Sequence, residues 1–325
     1  MEILVYSGQE VLGDGVMKLP FVYALRHSWP NARITWLAGK GPTVYSSTLA
    51  PLVVGCIDEI IEDAGIGSRA SELWRRRPLP GRRFDLVIDT QRRVLTSLIL
   101  RRIRTRCFIS GAADFLLSSR KPAERRRKPE SMVGQMMALL SLAGGTTTLD
   151  GGSIALPPEW QAAATALLPD GPVYVGIATG ASMANKVWPL DRFIAIARRQ
   201  VERGRVPVFF VGPMEAASLG ELREAVPQAR FPLQEAEDEK PSPLLTMALA
   251  QRLAVAVAND SGAGHLLAAG GCTMVSLFGP TRPQKFAPAA RRLNIIDARD
   301  FGEAAMTSIP VDVVAAAVDE ILAAH

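Results

Sequence analysis

Residues 255–283 read VAVANDSGAGHLLAAGGCTMVSLFGPTRP, and the fold follows from how this run breaks up. Leu253–Ala258 is an apolar, partly β-branched run of strand length, the pattern of a strand buried on both faces. It stops at Asn259, Asp260, Ser261, Gly262, Ala263, Gly264 and His265. The glycines and small polar residues there suit a tight turn and let backbone approach a ligand closely. Leu266–Ala269 then starts a helix, and Thr273–Phe278 is a second strand. Strand, Gly-rich turn and helix N-terminus in succession make an anion site. The first N–H groups of a helix lack partners, and its end carries roughly half a positive charge.

The same alternation extends in both directions. Upstream lie strands at Val173–Ala178 and Val206–Gly212, with helices predicted at Leu190–Glu202, Glu215–Glu224 and Leu244–Gln251 and a strand around Phe231. A Pro- and acid-rich loop covers 235–243; downstream come a strand at Leu293–Asp297 and a helix at Val311–Leu322. Residues 144–158, rich in Gly and ending in Pro157 and Pro158, read as a boundary. Before it the pattern repeats: strands at Ile3–Ser7, Arg33–Ala38, Glu59–Glu62, Asp85–Asp89 and Thr105–Ser110. A loop is predicted over Gly8–Gly15, and helices over Val16–Trp29, Thr43–Leu49, Thr96–Arg102 and Met132–Ala143. Strands alternating with helices at this spacing predict βαβ units and parallel sheets in two α/β domains, 1–152 and 153–325. Ligands of such sheets sit beyond strand C-termini, here in an expected inter-domain cleft.

Charge divides the chain. Residues 1–150 hold 22 Lys and Arg against 14 Asp and Glu, whereas the remainder holds 15 against 18. A basic first half suggests an anionic partner: nucleic acid, a lipid headgroup or a phosphorylated substrate. Two Arg-rich segments, Arg75–Arg83 and Arg120–Lys128, contain Pro and read as loops, either plain solvated surface or an anion-facing surface at a membrane. No helix-turn-helix or zinc-finger pattern is present and no aromatics are interleaved with these segments, which argues against nucleic acid. No run reaches the length of a membrane span, and Met1 and Glu2 lead directly into a strand without a secretory signal. The cysteines Cys56, Cys107 and Cys272 have neither disulfide nor metal spacing, as expected for a protein of the reducing cytosol, and Cys272 reads as a core residue.

Four segments follow a strand or open a helix and carry groups suited to chemistry. Asp14, between Gly13 and Gly15, reads as a helix N-cap or a general base. Gly180 and Ser182 with Lys186 offer N–H groups, a hydroxyl and a cation to a phosphate or diphosphate, with a solvated lysine as the alternative. Glu215 reads as an acceptor for ribose hydroxyls or as a first-turn helix stabiliser. The fourth is Asp260, Ser261, Gly262 and His265; His27 and His325 have no comparable setting. Neither G-x-G-x-x-G after the first strand nor a P-loop occurs, and no Asp-x-Asp pair is present to hold a divalent metal on a diphosphate. Lys186 and helix ends would then do the neutralising.

With these segments in order, the sequence resembles glycosyltransferase family 9, the ADP-heptose:lipopolysaccharide heptosyltransferases, over nearly its whole length. Leu12–Pro20 (LGDGVMKLP), Gly180–Ser182 followed by Lys186–Pro189 (KVWP), and Asn259–His265 (NDSGAGH) running into Leu277–Thr281 (LFGPT) carry the resemblance. It implies a GT-B architecture, two Rossmann-like domains facing a central cleft, with the acceptor in the first and the nucleotide sugar in the second. It also implies inverting transfer with no metal and no cofactor, from a nucleotide-sugar donor such as ADP-heptose. Asp14 would take the acceptor proton, and Lys186 with Gly180 and Ser182 would meet the diphosphate. Glu215 would hold the ribose, and Asp260, Ser261, Gly262 and His265 the sugar and phosphates. The acceptor implied is an anionic, lipid-linked core saccharide, met by a cytoplasmic enzyme visiting the inner membrane peripherally. Ala263 and Gly264 stand where the family usually has Pro-Met or Leu-Ser, 239–243 replaces a Gly-Lys-Thr segment, and Lys18 is unusual in its helix. These departures leave open a transferase or epimerase using a UDP- or GDP-sugar, or a non-catalytic nucleotide-sugar-binding protein.

Overall fold

The structure is a computed structural model that describes residues 1–122, 129–147, 154–236 and 242–323. The chain forms two compact units, Met1–Asp150 and Gly151–His325. Most of the second Arg-rich segment, the Gly-rich boundary at 150–152, the core of the 235–243 loop and His325 lie outside the described residues.

In the first unit five parallel strands are ordered β3-β2-β1-β4-β5: β1 Glu2–Ser7, β2 Arg33–Ala38, β3 Glu59–Ile61, β4 Arg83–Asp89 and β5 Arg104–Ser110. β1 pairs with β2 from Glu2 opposite Arg33 to Ser7 opposite Ala38, and with β4 so that Tyr6 faces Asp89. Its side chains are apolar on both faces because both are covered, and Leu4, Tyr6, Leu37, Val87, Leu100 and Phe108 share one core. The chain leaves β1 toward β2 and β3 on one side and returns to β4 and β5 on the other. The strand order therefore reverses between β1 and β4, and their C-terminal ends open a crevice where ligands of such sheets bind.

The second unit repeats the device with another order, β10-β9-β8-β6-β7. Its strands are β6 Tyr174–Ala178, β7 Val206–Phe209, β8 Val255–Asn259, β9 Met274–Phe278 and β10 Leu293–Asp297. The reversal falls between β6 and β8, which pair from Val175 opposite Val255 to Ala178 opposite Ala258. Trp188, Phe193, Phe209 and Val257 lie in the core beneath the covering helices Leu190–Glu202 and Val311–Ala323. Two parallel sheets flanked by helices make a GT-B-like pair of Rossmann-type domains.

Several local expectations are corrected. The first helix runs Leu12–Ser28, so Gly13, Asp14 and Gly15 are already helical, and the N-cap is Val11 rather than Asp14. Thr43–Leu49 is a set of turns, with the short helix displaced to Ala50–Val53. Thr43 and Tyr45 are held there by contacts with other elements: Tyr45 Oη donates to Gly15 O at 2.8 Å, and Thr43 Oγ1 donates to Glu10 Oε2. No strand forms at Phe231; only Arg230 bridges to Val208, and Pro232 opens the helix Pro232–Glu235. Residues 213–218 form a 3-10 turn before the helix Leu219–Ala225. The Gly-rich turn after β8 is only Asp260 and Ser261, because Gly262 begins the helix Gly262–Ala269. A helix at Pro158–Leu167 has no counterpart in the sequence reading.

Candidate active site

At the crevice of the first unit a recess of about 170 Å³ is lined by residues following β1 and β4, by the helix after β1 and by the helix Met132–Ala143. Asp14, half-buried in the first helical turn, is in its lining together with Gln9, Met17 and Lys18. One helical turn after Asp14, Lys18 is buried, its Nζ donating to Ser7 Oγ at 2.7 Å and to Glu10 Oε1 at 3.0 Å. The other Glu10 oxygen accepts from Trp36 Nε1 at 3.2 Å and from Thr43 Oγ1. Burial alone would raise the Glu10 carboxyl, but the Lys18 charge and hydrogen bonds from Thr43, Ser7 and Lys18 hold it below its ordinary value. The floor beneath Asp14 is thus a buried, net-neutral ion pair.

The opposite wall comes from the end of β4. Asp89 is fully buried: Oδ1 accepts from Gln91 N at 2.9 Å, and Oδ2 from Ser97 Oγ and, at 2.9 Å, from Ser110 Oγ. Burial raises its carboxyl, and those hydrogen bonds offset part of the rise. The turn that Asp89 ties to Gln91 delivers Arg92, a residue of the recess lining, in left-handed backbone, φ 54°.

In the second unit the expected donor residues gather at the crevice between β6 and β8. Asn259, the last residue of β8, donates from Nδ2 to Thr179 O at 2.8 Å and accepts from Trp188 N at 3.1 Å. It thereby fixes both ends of the 179–188 loop that carries Gly180, Ser182 and Lys186. Lys186 Nζ meets Asp260 Oδ2 at 2.8 Å, and Thr281 Oγ1 donates to the same oxygen at 2.7 Å. The Phe286 ring lies 6.0 Å from the ammonium. Lys186 is therefore no free solvated lysine: a carboxylate beyond β8 anchors it. Ser261 caps the next helix by accepting from Gly264 N at 3.2 Å, which leaves the N–H groups of Gly262 and Ala263 ahead of any intrahelical acceptor.

A methyl group on Gly262 would meet nothing within 4 Å, so packing does not require glycine there. Gly180 is different: an added Cβ would lie 2.2 Å from Glu215 Oε1, so the carboxylate sits directly against this glycine. The second Glu215 oxygen accepts from Gly212 N at 3.2 Å, which makes Glu215 a cap of its own turn as well as a neighbour of Gly180. His265 is buried one turn into the capped helix. Ser182 is exposed on the loop before Lys186. Cys272 is buried, and burial pushes its thiol far above the usual value, so it is a core residue and not a nucleophile.

The structure thus brings together Gly180 with Glu215, and Lys186 with Asp260 beside the helix that Ser261 caps, while Asp14 belongs to the recess of the other unit. Sequence reasoning missed Glu10, Asn259, Thr281 and Arg92 and left Lys18 without a role. Asn259 and Thr281 lie inside the NDSGAGH and LFGPT motifs, and those motifs were the usable signal. Glu10 and Arg92 carried none, because their partners are brought in by tertiary structure.

The model of glycosyltransferase family 9 (heptosyltransferase) matches residues 73–310. No curated protein matches the chain. Among solved structures, a glycosyl transferase family 9 protein from Veillonella parvula is 22% identical, covering 100% of this chain and 98% of its own with a TM-score of 0.72. The E. coli heptosyltransferase WaaC with ADP is 18% identical over 99% of this chain and 100% of its own, with a TM-score of 0.70. E. coli ADP-heptose lps heptosyltransferase II is 19% identical over 99% and 98%, with a TM-score of 0.67.

Proposed function

The chain belongs to glycosyltransferase family 9, and from that premise we propose that it transfers heptose or a related sugar from an ADP-sugar to a hydroxyl of a lipopolysaccharide-core saccharide, with inversion. The observation that carries the reading is the Lys186–Asp260 pair, set beside Gly180 and the capped helix start where the strand order of the second sheet reverses. A diphosphate calls for a held cation and helix-start N–H groups, and Lys186 with the N–H groups of Gly262 and Ala263 supports that reading.

In this reading Asp14 accepts the proton of the acceptor hydroxyl as its oxygen attacks the anomeric carbon. The bond from that carbon to the diphosphate oxygen breaks, and the nucleoside diphosphate leaves with the electron pair. Lys186 and the N–H groups of Gly262 and Ala263 take up the charge that develops on the leaving oxygens. Glu215, turned toward Gly180, holds the ribose hydroxyls, while Ser182 and His265 complete the donor contacts. The neutralisation of the leaving group is assigned to Lys186 and the helix end; among the described residues no three His, Cys, Asp or Glu side chains converge as a metal site. Among the described residues no helix is long and apolar enough to cross a membrane. The basic first unit would meet a lipid-linked, anionic acceptor from the surface of the inner membrane.

The test is turnover of ADP-heptose by Asp14→Asn. General-base assistance is worth about 10²–10⁴-fold, so kcat should fall by about that factor while ADP binding holds. Near-normal turnover in a folded variant would remove Asp14 as the base.

A further inference from the structure

Trp74 is the most exposed large apolar side chain among the described residues, at 81%. The loop that carries it is tied down. Glu72 accepts from the backbone N–H groups of Gly67, Ser68 and Arg69 at 2.8, 3.0 and 2.7 Å. Thr96 Oγ1, in the first turn of the helix Val94–Leu100, donates to Gly67 O at 2.7 Å. Just past the end of that helix, Arg102 donates to Glu72 O and, at 2.5 Å, to Arg75 O. The segment from Gly67 to Arg75 is thus fastened to the helix at both of its ends, and the indole is held out in water.

The helix itself continues the apolar surface. Val94 and Leu98, one turn apart, are exposed, whereas Thr96, Ser97, Ile99 and Leu100 are buried. Arg101 follows on the same exposed face. Around this stripe the charge has one sign: residues 73–84 and 90–113 hold 11 arginines and no lysine or acidic residue. Arg75, Arg76, Arg77, Arg93 and Arg101 are exposed and enter no ion pair among the described residues. Arg83 and Arg104 stand opposite each other where β4 and β5 begin, and with Thr105 they line an open recess of about 420 Å³. Like charges in that relation oppose folding, and an anion between them would relieve the repulsion. Arginines alone would suit any polyanion. An indole and an aliphatic stripe beside them specify a bilayer, whose headgroups take the charge and whose acyl boundary takes the apolar groups.

We propose that the outer face of the helix Val94–Leu100, together with the Trp74 loop, docks the first unit on an anionic lipid surface. Trp74 enters the headgroup boundary, and the arginines lie among the lipid phosphates. The purpose of such docking rests on the lipid-linked acceptor read above, but the surface stands on the geometry of the first unit alone. Val94 follows closely on Arg92, a residue of the recess that holds Asp14, so a docked helix keeps that recess near the membrane from which a lipid-linked sugar projects.

The experiment is cosedimentation of the full chain with phosphatidylcholine vesicles, with and without one quarter phosphatidylglycerol, read together with tryptophan emission. Anionic vesicles should retain the protein at low salt and release it as salt rises, and neutral vesicles should not retain it. Emission should shift to the blue on binding, and Trp74→Phe should abolish most of the shift while the protein stays bound. Trp74→Ser should weaken binding about tenfold. Arg75→Ala, Arg76→Ala and Arg77→Ala together should weaken it about a hundredfold, at about fivefold for each charge. All four side chains are exposed, so the melting temperature should hold. Arg291→Ala with Arg292→Ala removes two exposed charges from the second unit and should leave binding unchanged.

No retention by anionic vesicles, equal retention by neutral ones, undiminished binding in the triple variant, or an equal loss in the Arg291 and Arg292 control would each overturn the proposal. Arginine-dependent binding without a Trp74 shift would make the surface a general polyanion site and overturn the bilayer assignment. A dimer, seen without vesicles and dissociated by the triple variant, would give the surface to a second copy of the chain and overturn it too. ADP titrated into the same samples reads the donor side separately. Intact ADP binding without vesicle binding defeats the docking inference alone, whereas absent ADP binding strikes the transferase reading.

Discussion

Replacing Lys18 by methionine removes the ammonium and keeps most of the volume, so it isolates the electrostatics of the first unit's floor. The Lys18 side chain is 8% exposed and that of Glu10 is fully buried, so solvent does little to screen their separation of 3.0 Å. Removing one partner of such a pair leaves an uncompensated buried charge, at a cost of about 3–5 kcal/mol. In a unit of this size each kcal/mol moves the melting temperature by about 2–4 °C, so the first unit should melt roughly 10 °C lower. The double variant Lys18→Met with Glu10→Gln removes the stranded charge, since Gln can still accept from Thr43 and Trp36, and should recover about half the loss or more.

The pH dependence follows from the same pair. In the native protein the folded Glu10 carboxyl is held below its ordinary value, so its contribution is present above that value and fades as pH falls through the folded one. In Lys18→Met burial is unopposed by the ammonium and the folded value rises, so acid favours the folded variant and the gap to wild type narrows. Hydrogen exchange on peptides spanning 2–7 and 33–38, followed through urea, keeps the second unit out of the reading. A variant as stable as wild type, or a double variant no better than the single one, would refute the ion-pair argument.

Three further outcomes are expected. Gly262→Ala should change stability by less than about 0.5 kcal/mol, because the new methyl meets nothing in the protein, yet lower ADP affinity about tenfold if the diphosphate approaches that backbone; calorimetry and melting read the two separately. Ser261→Ala should cost about 1 kcal/mol through the lost cap of the helix Gly262–Ala269, measured by urea unfolding. Burial raises the folded Asp89 carboxyl above its unfolded value, so at neutral pH its charge opposes folding and that opposition fades as pH falls through the raised value. Asp89→Asn should then be no less stable than wild type at pH 7, with the difference closing in acid; a loss above about 2 kcal/mol at pH 7 would contradict this.

The sequence made the sheets legible because parallel strands are buried on both faces. Ile3–Val5 and Val255–Ala258 could be read as continuous apolar runs with Gly or polar residues at their exits. Phe231 misled for the opposite reason: its ring stacks on Phe209, 5.5 Å between centroids, so one apolar residue joins the core without a strand around it. Thr43–Leu49 has no helix because Thr43 and Tyr45 are fixed by Glu10 and Gly15, partners some thirty residues away in sequence. The site residues in Gly-rich exits were found because those exits announce close backbone approach. The Lys186–Asp260 pair was not, since charges 74 positions apart have no periodicity to betray them. Arg92 was invisible for the same reason, its bracing coming from Gly111 and Phe115 after an intervening helix and strand.

Calorimetric titration of ADP, UDP and GDP into wild type and Lys186→Ala, with EDTA present, decides whether the second unit holds an adenosine diphosphate sugar through Lys186 and the helix beginning at Gly262. ADP should bind selectively without free metal, and Lys186→Ala should weaken it at least about tenfold while the fold stays intact. Absence of ADP binding, binding that requires added metal, or equal affinity in the variant would contradict it.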